Sequence, residues 1–241
     1  MIVLMSFAGT APAQQMSASN PTCFYRSIPY VSRLSYEVRE AGGKRILLAV
    51  GGFDADATRR LEQFLNSAGP IDEIWFDSPG GVAKQGVEMG LLLRKRGIAT
   101  RVPTGFSCIS ACTFAFLGGP FRAVSPYANY GVHAFYKPDS LGSLNDVIGK
   151  AKRDGVPVGD AVTAFMHENE VSTQQLAADL TIYAQRMGIS REFMAKFVFA
   201  QKSIAFATVE RQKAAEGRGA QTATVRCMTI NEMQSLKVIN Q

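Results

Sequence analysis

The chain is short of charge and has no long apolar run. Charged residues make up 19% of its 241 positions and apolar residues 46%. The charge is below the usual quarter of a globular domain and the apolar fraction is ordinary, which excludes an intrinsically disordered chain. No uncharged apolar stretch reaches the roughly 18 residues of a membrane span, which argues against an integral membrane protein. With no internal repeat and no low-complexity tract, the sequence predicts a single globular domain over residues 24–241.

An excess of positive charge does not come with a nucleic-acid motif. The formal net charge is +6, and residues 191–226 hold seven Lys or Arg against three Asp or Glu. These basic residues are dispersed, and no RNA- or DNA-binding signature accompanies them. The pattern therefore predicts a solvated basic surface, with no nucleic-acid partner.

The first residues are typical of an export signal. Residues 1–13 carry no charge and end in Ala11-Pro12-Ala13, small residues of the kind a signal peptidase prefers. Polar sequence follows at once, and the first charge in the chain is Arg26. Although no basic residue precedes the apolar run, the pattern predicts a secretory signal and a periplasmic or secreted protein.

Cysteine is scarce but even in number. The four are Cys23, Cys108, Cys112 and Cys227, and in an exported chain they allow three pairings. Because the ends of a domain often lie close together, we predict a bridge between Cys23 and Cys227. The alternative is four buried thiols. Cys108 and Cys112 lack the second pair that a zinc site needs, so no metal site is predicted.

Short apolar runs alternate with helical patterns in the first half of the chain. This order predicts an α/β fold with a mainly parallel sheet covered by helices. Strands are predicted at 45–50, 72–76, 98–102, 121–124 and 130–134, and helices at 55–66, 82–96 and 111–117.

The second half of the chain has a different character. Residues 137–158 are rich in glycine, proline and charge, which predicts an exposed loop. Residues 159–215 are predicted to be mainly helical, with one long helix or two joined helices over 159–187. A late strand is predicted within 222–230.

Three segments between positions 77 and 133 contain residue types that are common in active sites. Ser78-Pro79-Gly80-Gly81 follows a predicted strand and precedes a predicted helix. Its two glycines permit a sharp turn and close approach of a ligand to the backbone, next to free N–H groups that suit an oxyanion. By itself this segment indicates only a tight turn.

Ser110 opens the next helix and His133 closes a later strand. Taken singly, Ser110 is a helix N-cap and His133 a hydrogen-bonded structural histidine; the one other histidine is His167. Together, in the order glycine turn, serine, histidine, they are typical of a serine hydrolase site.

The run from Ile74 to His133 resembles the Clp protease proteolytic subunit and its exported relatives in the ClpP/crotonase superfamily. The matching residues are Ser78 to Gly81, the segment 105–119 that contains Ser110, Arg122, and Val132 with His133. Ser110 follows Gly81 by 29 positions, which fits the family's spacing. The resemblance implies a superhelix of β-β-α units with a mainly parallel sheet and a helical C-terminal part.

The resemblance also implies a set of roles. Ser110 would be the nucleophile and His133 its general base, and the backbone N–H groups of Gly81 and Ala111 would form the oxyanion hole. No metal or organic cofactor is implied. The expected substrate is a peptide or an unfolded protein, and the expected assembly is a homo-oligomer.

A third catalytic residue is not identified by sequence. Relatives with a full triad carry an acidic residue on the C-terminal helices, but residues 197–207 contain no Asp or Glu. Gln201, Ser203 and Asp179 remain open as groups that orient His133, and Lys84 as the base of a Ser-Lys dyad.

Three functions are compatible with these residues. The first is an exported ClpP-like serine peptidase, favoured by the order and spacing of the motifs. The second is a ClpP-like scaffold or peptide-binding protein with a weak or inactive site, which the missing acid favours. The third is a crotonase-type acyl-CoA enzyme, which the predicted export disfavours because acyl-CoA is not an extracytoplasmic metabolite.

Overall fold

The computed structural model describes residues 33–133, 140–199 and 225–240. The predicted secretory signal at 1–13 lies outside the described residues, and so does Cys23. Within the described ranges, no helix combines the length and the apolar character needed to cross a membrane.

The described residues form eight strands and seven helices. The strands are β1 (Ser35–Ala41), β2 (Lys44–Val50), β3 (Glu73–Asp77), β4 (Ala99–Val102), β5 (Ser107–Ile109), β6 (Arg122–Val124), β7 (Asn129–Val132) and β8 (Arg226–Cys227). The helices are α1 (Ala57–Ala68), α2 (Ala83–Arg96), α3 (Ala111–Leu117), α4 (Ser140–Asp154), α5 (Val158–Arg186), α6 (Glu192–Phe199) and α7 (Ile230–Ser235).

The strands form two sheets. The larger has the order β1-β2-β3-β4-β6 and the smaller β5-β7-β8. In the larger sheet β1 is antiparallel to β2, and every other pair is parallel. In the smaller sheet β5 and β7 are parallel, and β8 is antiparallel to β7. The predicted α/β class with a mainly parallel sheet is confirmed.

Each repeating unit contributes to both sheets before its helix begins. β4 of the larger sheet is followed by β5 of the smaller one and then by α3, and β6 is likewise followed by β7. Earlier units do the same through isolated bridges, which pair Ser78 with Cys108 and Phe53 with Gly81. The β-β-α unit is therefore the repeat of this fold. Its second strand leads directly to Ser110 after β5 and to His133 after β7.

Buried apolar side chains fill the space between the helices and the sheets. On α1 the buried residues are Ala57, Leu61 and Leu65, spaced one helical turn apart. Phe76 and Phe116 are fully buried in the same core. Burial of each such side chain contributes about 1.5–3 kcal/mol relative to exposure, so the core holds the strand ends in place.

The expected loop at 137–158 is wrong over most of its length, because residues 140–154 form helix α4. The apolar residues Leu144, Val147, Ile148 and Ala151 follow helical spacing, and α4 packs against α5. The glycines and charges that suggested a loop lie on and around this helix. Gly155, at a φ of +69°, supplies the left-handed residue that follows it.

Other boundaries differ in smaller ways. The helix predicted at 111–117 and the long helix predicted at 159–187 are confirmed as α3 and α5. In the described part of the predicted late strand, residues 225–230, β8 has two residues and α7 begins at Ile230. Strands β1 and β5 were not predicted, and residues 200–215 of the predicted helical part lie outside the described ranges.

Candidate active site

Three segments meet beside β5. The Ser78 amide donates to the Ser107 carbonyl at 2.7 Å, and the Ile109 amide donates to the Ser78 carbonyl at 3.0 Å. On the other side of β5, the Ser110 amide donates to the Gly131 carbonyl of β7 at 3.0 Å. The structure thus brings the glycine turn, the serine and the strand that leads to His133 to one edge of the smaller sheet.

Ser110 lies at the N-cap position of α3 but does not cap it. Its φ of +58° and ψ of −123° are not those of an ordinary cap, and its side chain makes no capping hydrogen bond. The interpretation of Ser110 as a capping serine is therefore wrong. A non-glycine residue in this region costs on the order of 1–3 kcal/mol. A sharp strand-to-helix turn of this kind presents the serine Oγ outward, and Ser110 is half-buried.

Two glycines make the neighbouring turn possible. Gly80 and Gly81 have φ values of +98° and +141°. A Cβ on Gly80 would lie 2.6 Å from the Ser110 Cβ and 3.0 Å from the Ala111 amide nitrogen. The backbone of the turn therefore packs directly against the Ser110 turn, and only glycine fits there.

Two backbone N–H groups are available beside Ser110. Phe53 donates to Gly80 and accepts from Val82, each at 2.8 Å, a bridge that turns the Gly81 N–H away from Phe53. Within residues 33–133, 140–199 and 225–240, neither the Gly81 nor the Ala111 N–H donates to a protein acceptor. Such a pair of amides suits a developing oxyanion.

His133 follows the last residue of β7. The register places Ile109 opposite Gly131, so Ser110 and His133 lie just beyond the paired ends of neighbouring parallel strands. His133 is half-buried. The structure thus places the predicted base on the strand adjacent to that of the predicted nucleophile.

Buried hydroxyl groups support the Ser110 turn from the core side. The Thr113 Oγ1 donates to the Ser110 carbonyl at 2.6 Å, and the Tyr130 hydroxyl donates to the Thr113 carbonyl at 3.2 Å. Burial raises the pKa of Tyr130 well above its ordinary value, so its phenol stays neutral. These bonds tie α3 to β7 behind the turn.

Helix α3 is also fixed by close contact with α2 and α5. A Cβ on Gly86 of α2 would collide with the Ala111 carbonyl oxygen, so the two backbones touch there. The Tyr183 hydroxyl of α5 donates to the Phe114 carbonyl at 2.7 Å. Sequence reasoning found neither contact, because both join residues that are far apart in the chain.

The other candidates for a third catalytic group have mixed outcomes. Lys84 is 80% exposed and forms an ion pair with Glu88 at 3.7 Å, so it is engaged at the surface of α2. Asp179 is exposed on α5. Gln201 and Ser203 lie outside the described residues.

A disulfide links Cys108 to Cys112, with their Cα atoms 5.2 Å apart. Sequence reasoning singled out a different bridge, and the expectation of four buried thiols is wrong for this pair. The predicted Cys23–Cys227 bridge stays a prediction, since Cys23 lies outside the described residues. The Cys-x3-Cys spacing around a serine was the signal that could have pointed to the bridge found here.

No protein-family model matches the sequence, and no curated protein matches it. A ClpP1 mutant from Listeria monocytogenes is similar in structure, with a TM-score of 0.43 and 15% identity over 81% of this chain and 88% of that one. Two structures of the membrane-bound stomatin-specific protease 1510-N have TM-scores of 0.30 at 15% and 17% identity. They match over 48% of this chain and 65% and 62% of their own. At these TM-scores the likeness says nothing about the residues of the site.

Proposed function

We propose that this chain is an exported ClpP-like serine peptidase. The observation that carries the proposal is the backbone of Ser110, which is held at a φ of +58° with no capping bond from its side chain. Ser110 is strained, it lies beside two amides that have no protein acceptor among the described residues, and it is next to the end of β7, which His133 follows. This arrangement has an evident chemical use.

In the proposed reaction, the Ser110 Oγ attacks a peptide carbonyl carbon while His133 accepts the hydroxyl proton. The Gly81 and Ala111 N–H groups stabilise the oxyanion that forms. His133 then gives its proton to the leaving amine as the C–N bond breaks. A water molecule, deprotonated by His133, then attacks the acyl carbon. The ester C–O bond breaks, and His133 returns the proton to the Ser110 Oγ. These steps call for no cofactor.

Two further parts of the proposal concern the setting of the enzyme. Disulfides persist in oxidising compartments, so the Cys108–Cys112 bridge supports export to the periplasm or the exterior. We propose peptides or loosely folded protein segments as the substrates. Val171 and Ile182, which are 47% and 48% exposed on one face of α5, support self-association into a homo-oligomer.

The deciding experiment is labelling of the purified protein with a fluorophosphonate probe, which reacts with activated serines. We expect the wild type to be labelled and Ser110→Ala to be unlabelled, while Ser67→Ala, a change on the exposed face of α1, keeps wild-type labelling. Folding of each variant is checked by circular dichroism. Equal labelling of Ser110→Ala would refute the proposal.

The same assay tests His133. The variant His133→Ala should lower the labelling rate by about 10²–10⁴, the usual contribution of a general base. His167→Ala, which removes the exposed histidine of α5, is the matched control and should have no effect. A folded wild-type protein that takes up no label would favour the scaffold or peptide-binding alternative. The absence of Asp and Glu from residues 197–207 also favours that alternative.

A further inference from the structure

The Cys108–Cys112 disulfide joins the two cysteines that flank the proposed nucleophile, Ser110. Cys108 lies in β5, Cys112 lies in the first turn of α3, and Ser110 is midway between them. The bond therefore joins the two elements whose meeting point is the strained residue. It closes a ring of five residues over the turn itself.

Apart from its packing against Gly80, the Ser110 backbone is held by three hydrogen bonds among the described residues. Its amide donates to the Gly131 carbonyl at 3.0 Å, and its carbonyl accepts from the Thr113 amide at 2.9 Å and the Thr113 Oγ1 at 2.6 Å. Hydrogen bonds of this kind have modest net strength, comparable to the strain of a positive φ at serine. A covalent tie, in contrast, prevents the strand end and the helix start from moving apart.

The position of Cys108 links the bridge to the rest of the site. Cys108 pairs with Ser78 on one side and with Tyr130 on the other, and both cysteines are fully buried. Movement of the end of β5 would therefore change the contact between Gly80 and Ser110 as well as the conformation of Ser110.

We propose that the Cys108–Cys112 disulfide holds Ser110 in its strained conformation, so that the reactivity of Ser110 follows the redox state of this pair. The consequence for reactivity rests on the function proposed above. The conformational part does not, because it concerns the backbone of residues 108–112 alone.

The switching step is a thiol–disulfide exchange with a dithiol. One thiolate of the dithiol attacks a sulfur of the pair, which forms a mixed disulfide and releases the other cysteine as a thiolate. The second thiol of the dithiol then displaces the first cysteine. In total the protein gains two electrons and two protons, and the dithiol becomes a cyclic disulfide. Because both sulfurs are buried, the exchange requires transient opening of the turn.

The test is a redox titration of the wild-type protein. Samples are equilibrated in buffers of defined dithiol-to-disulfide ratio, and the fluorophosphonate labelling rate is measured. The oxidised fraction of the 108–112 pair is determined by alkylation and peptide mapping. We expect the rate to fall by about 100-fold in step with reduction, since small misplacements of reacting groups have effects of that size.

Two variants separate this bridge from other thiols. Cys108→Ala/Cys112→Ala should show a low labelling rate that no longer responds to the buffer. Cys23→Ala/Cys227→Ala keeps the 108–112 pair and should give the wild-type titration. If the first variant does not fold, the wild-type titration still decides.

Hydrogen exchange provides a readout that does not need enzymatic activity. On reduction, amide exchange in the peptide 105–117 should accelerate about tenfold or more, while the peptide 57–68 in α1 remains unchanged.

Labelling at the oxidised rate in protein mapped as fully reduced would overturn the link to reactivity. Unchanged exchange in 105–117 would overturn the conformational claim, whether or not the oxidised protein labels. If the oxidised protein is not labelled but amide exchange is faster on reduction, the conformational claim is supported and the proposed peptidase activity is refuted.

Discussion

At the scale of single residues, the site depends on a contact that only glycine allows. The Gly80 backbone lies so close to Ser110 that a Cβ would be 2.6 Å from the Ser110 Cβ. Its φ of +98° is unfavourable for any other residue. The turn and the serine are therefore positioned by each other, and a change at one should be felt at the other.

Gly80→Ala should lower the reactivity of Ser110 by displacing the turn. We expect a fall of about 100-fold in the fluorophosphonate labelling rate. Gly97→Ala is the matched control, since Gly97 also has a positive φ, of +69°, but a Cβ there would meet no atom within 4 Å. It should lose about 1–2 kcal/mol of stability without loss of labelling. A Gly80→Ala protein that is labelled at the wild-type rate would show that the close contact is irrelevant.

At the scale of elements, the start of α1 is fixed by an ion pair with the segment that follows β2 and by a bond to the residue before β1. The Arg60 guanidinium donates to both carboxylate oxygens of Asp54, at 2.7 Å and 2.5 Å, and to the Leu34 carbonyl at 3.2 Å. The hydrogen bond from Arg60 holds the pKa of Asp54 well below its ordinary value. Asp54 also accepts the Asp56 amide at 3.0 Å, so its carboxylate joins Arg60 to the segment that precedes α1.

This pair predicts a pH dependence of stability. A carboxylate with a lowered folded pKa stabilises the fold fully above its unfolded pKa of about 4, and the stabilisation is lost as the pH falls toward the folded value. Asp54→Asn should therefore lower the free energy of unfolding by about 1 kcal/mol at neutral pH. The difference from wild type should shrink at about pH 3.

Urea denaturation at the two pH values measures this difference. The control is Asp56→Asn, which breaks the exposed Asp56–Arg59 pair in the same segment and should have a smaller effect at either pH. An Asp54→Asn deficit that is as large in acid as at neutral pH would contradict the assigned ionisation.

At the scale of the whole molecule, the C-terminal segment covers the open edges of both sheets. Asn240 exchanges hydrogen bonds with the backbone of Arg122 in β6, and β8 pairs with β7 one residue before His133. The buried Arg122 side chain donates to the carbonyls of Val238, Lys237 and Gly119 at 2.7, 3.0 and 2.9 Å. The end of the chain is thus part of the frame that carries the site.

Arg122→Met should release this segment, because it leaves buried carbonyl groups without donors. We expect a loss of about 3 kcal/mol or more in the free energy of unfolding, together with faster proteolysis after residue 225. Arg39→Met removes an arginine that is 61% exposed in β1 and is the control. Urea denaturation and limited proteolysis with mass spectrometry give the two readouts. Equal stability of the two variants would show that the Arg122 contacts are dispensable.

Much of the frame could be predicted from sequence because its signals are local. Helix α3, the long helix α5 and most strands of the larger sheet follow from apolar spacing within short windows. The glycine turn, Ser110 and His133 were identified by residue type and order along the chain. Helix α4 was missed although its spacing is helical, because its glycines and charges outweighed four apolar positions.

The rest depends on contacts between distant parts of the chain, and local patterns carry no record of these. The sequence by itself determined the α/β class, the order of elements and the residues that carry the proposed chemistry. Only the tertiary structure decided that Ser110 is strained rather than capping, that Cys108 pairs with Cys112, and that Arg122 binds the C-terminal segment. The Ser110 conformation and the Arg122 contacts are set by packing and hydrogen bonds between elements that are distant in the chain. Cys108 and Cys112 are only four positions apart, but their spacing alone did not distinguish this pairing from the alternatives.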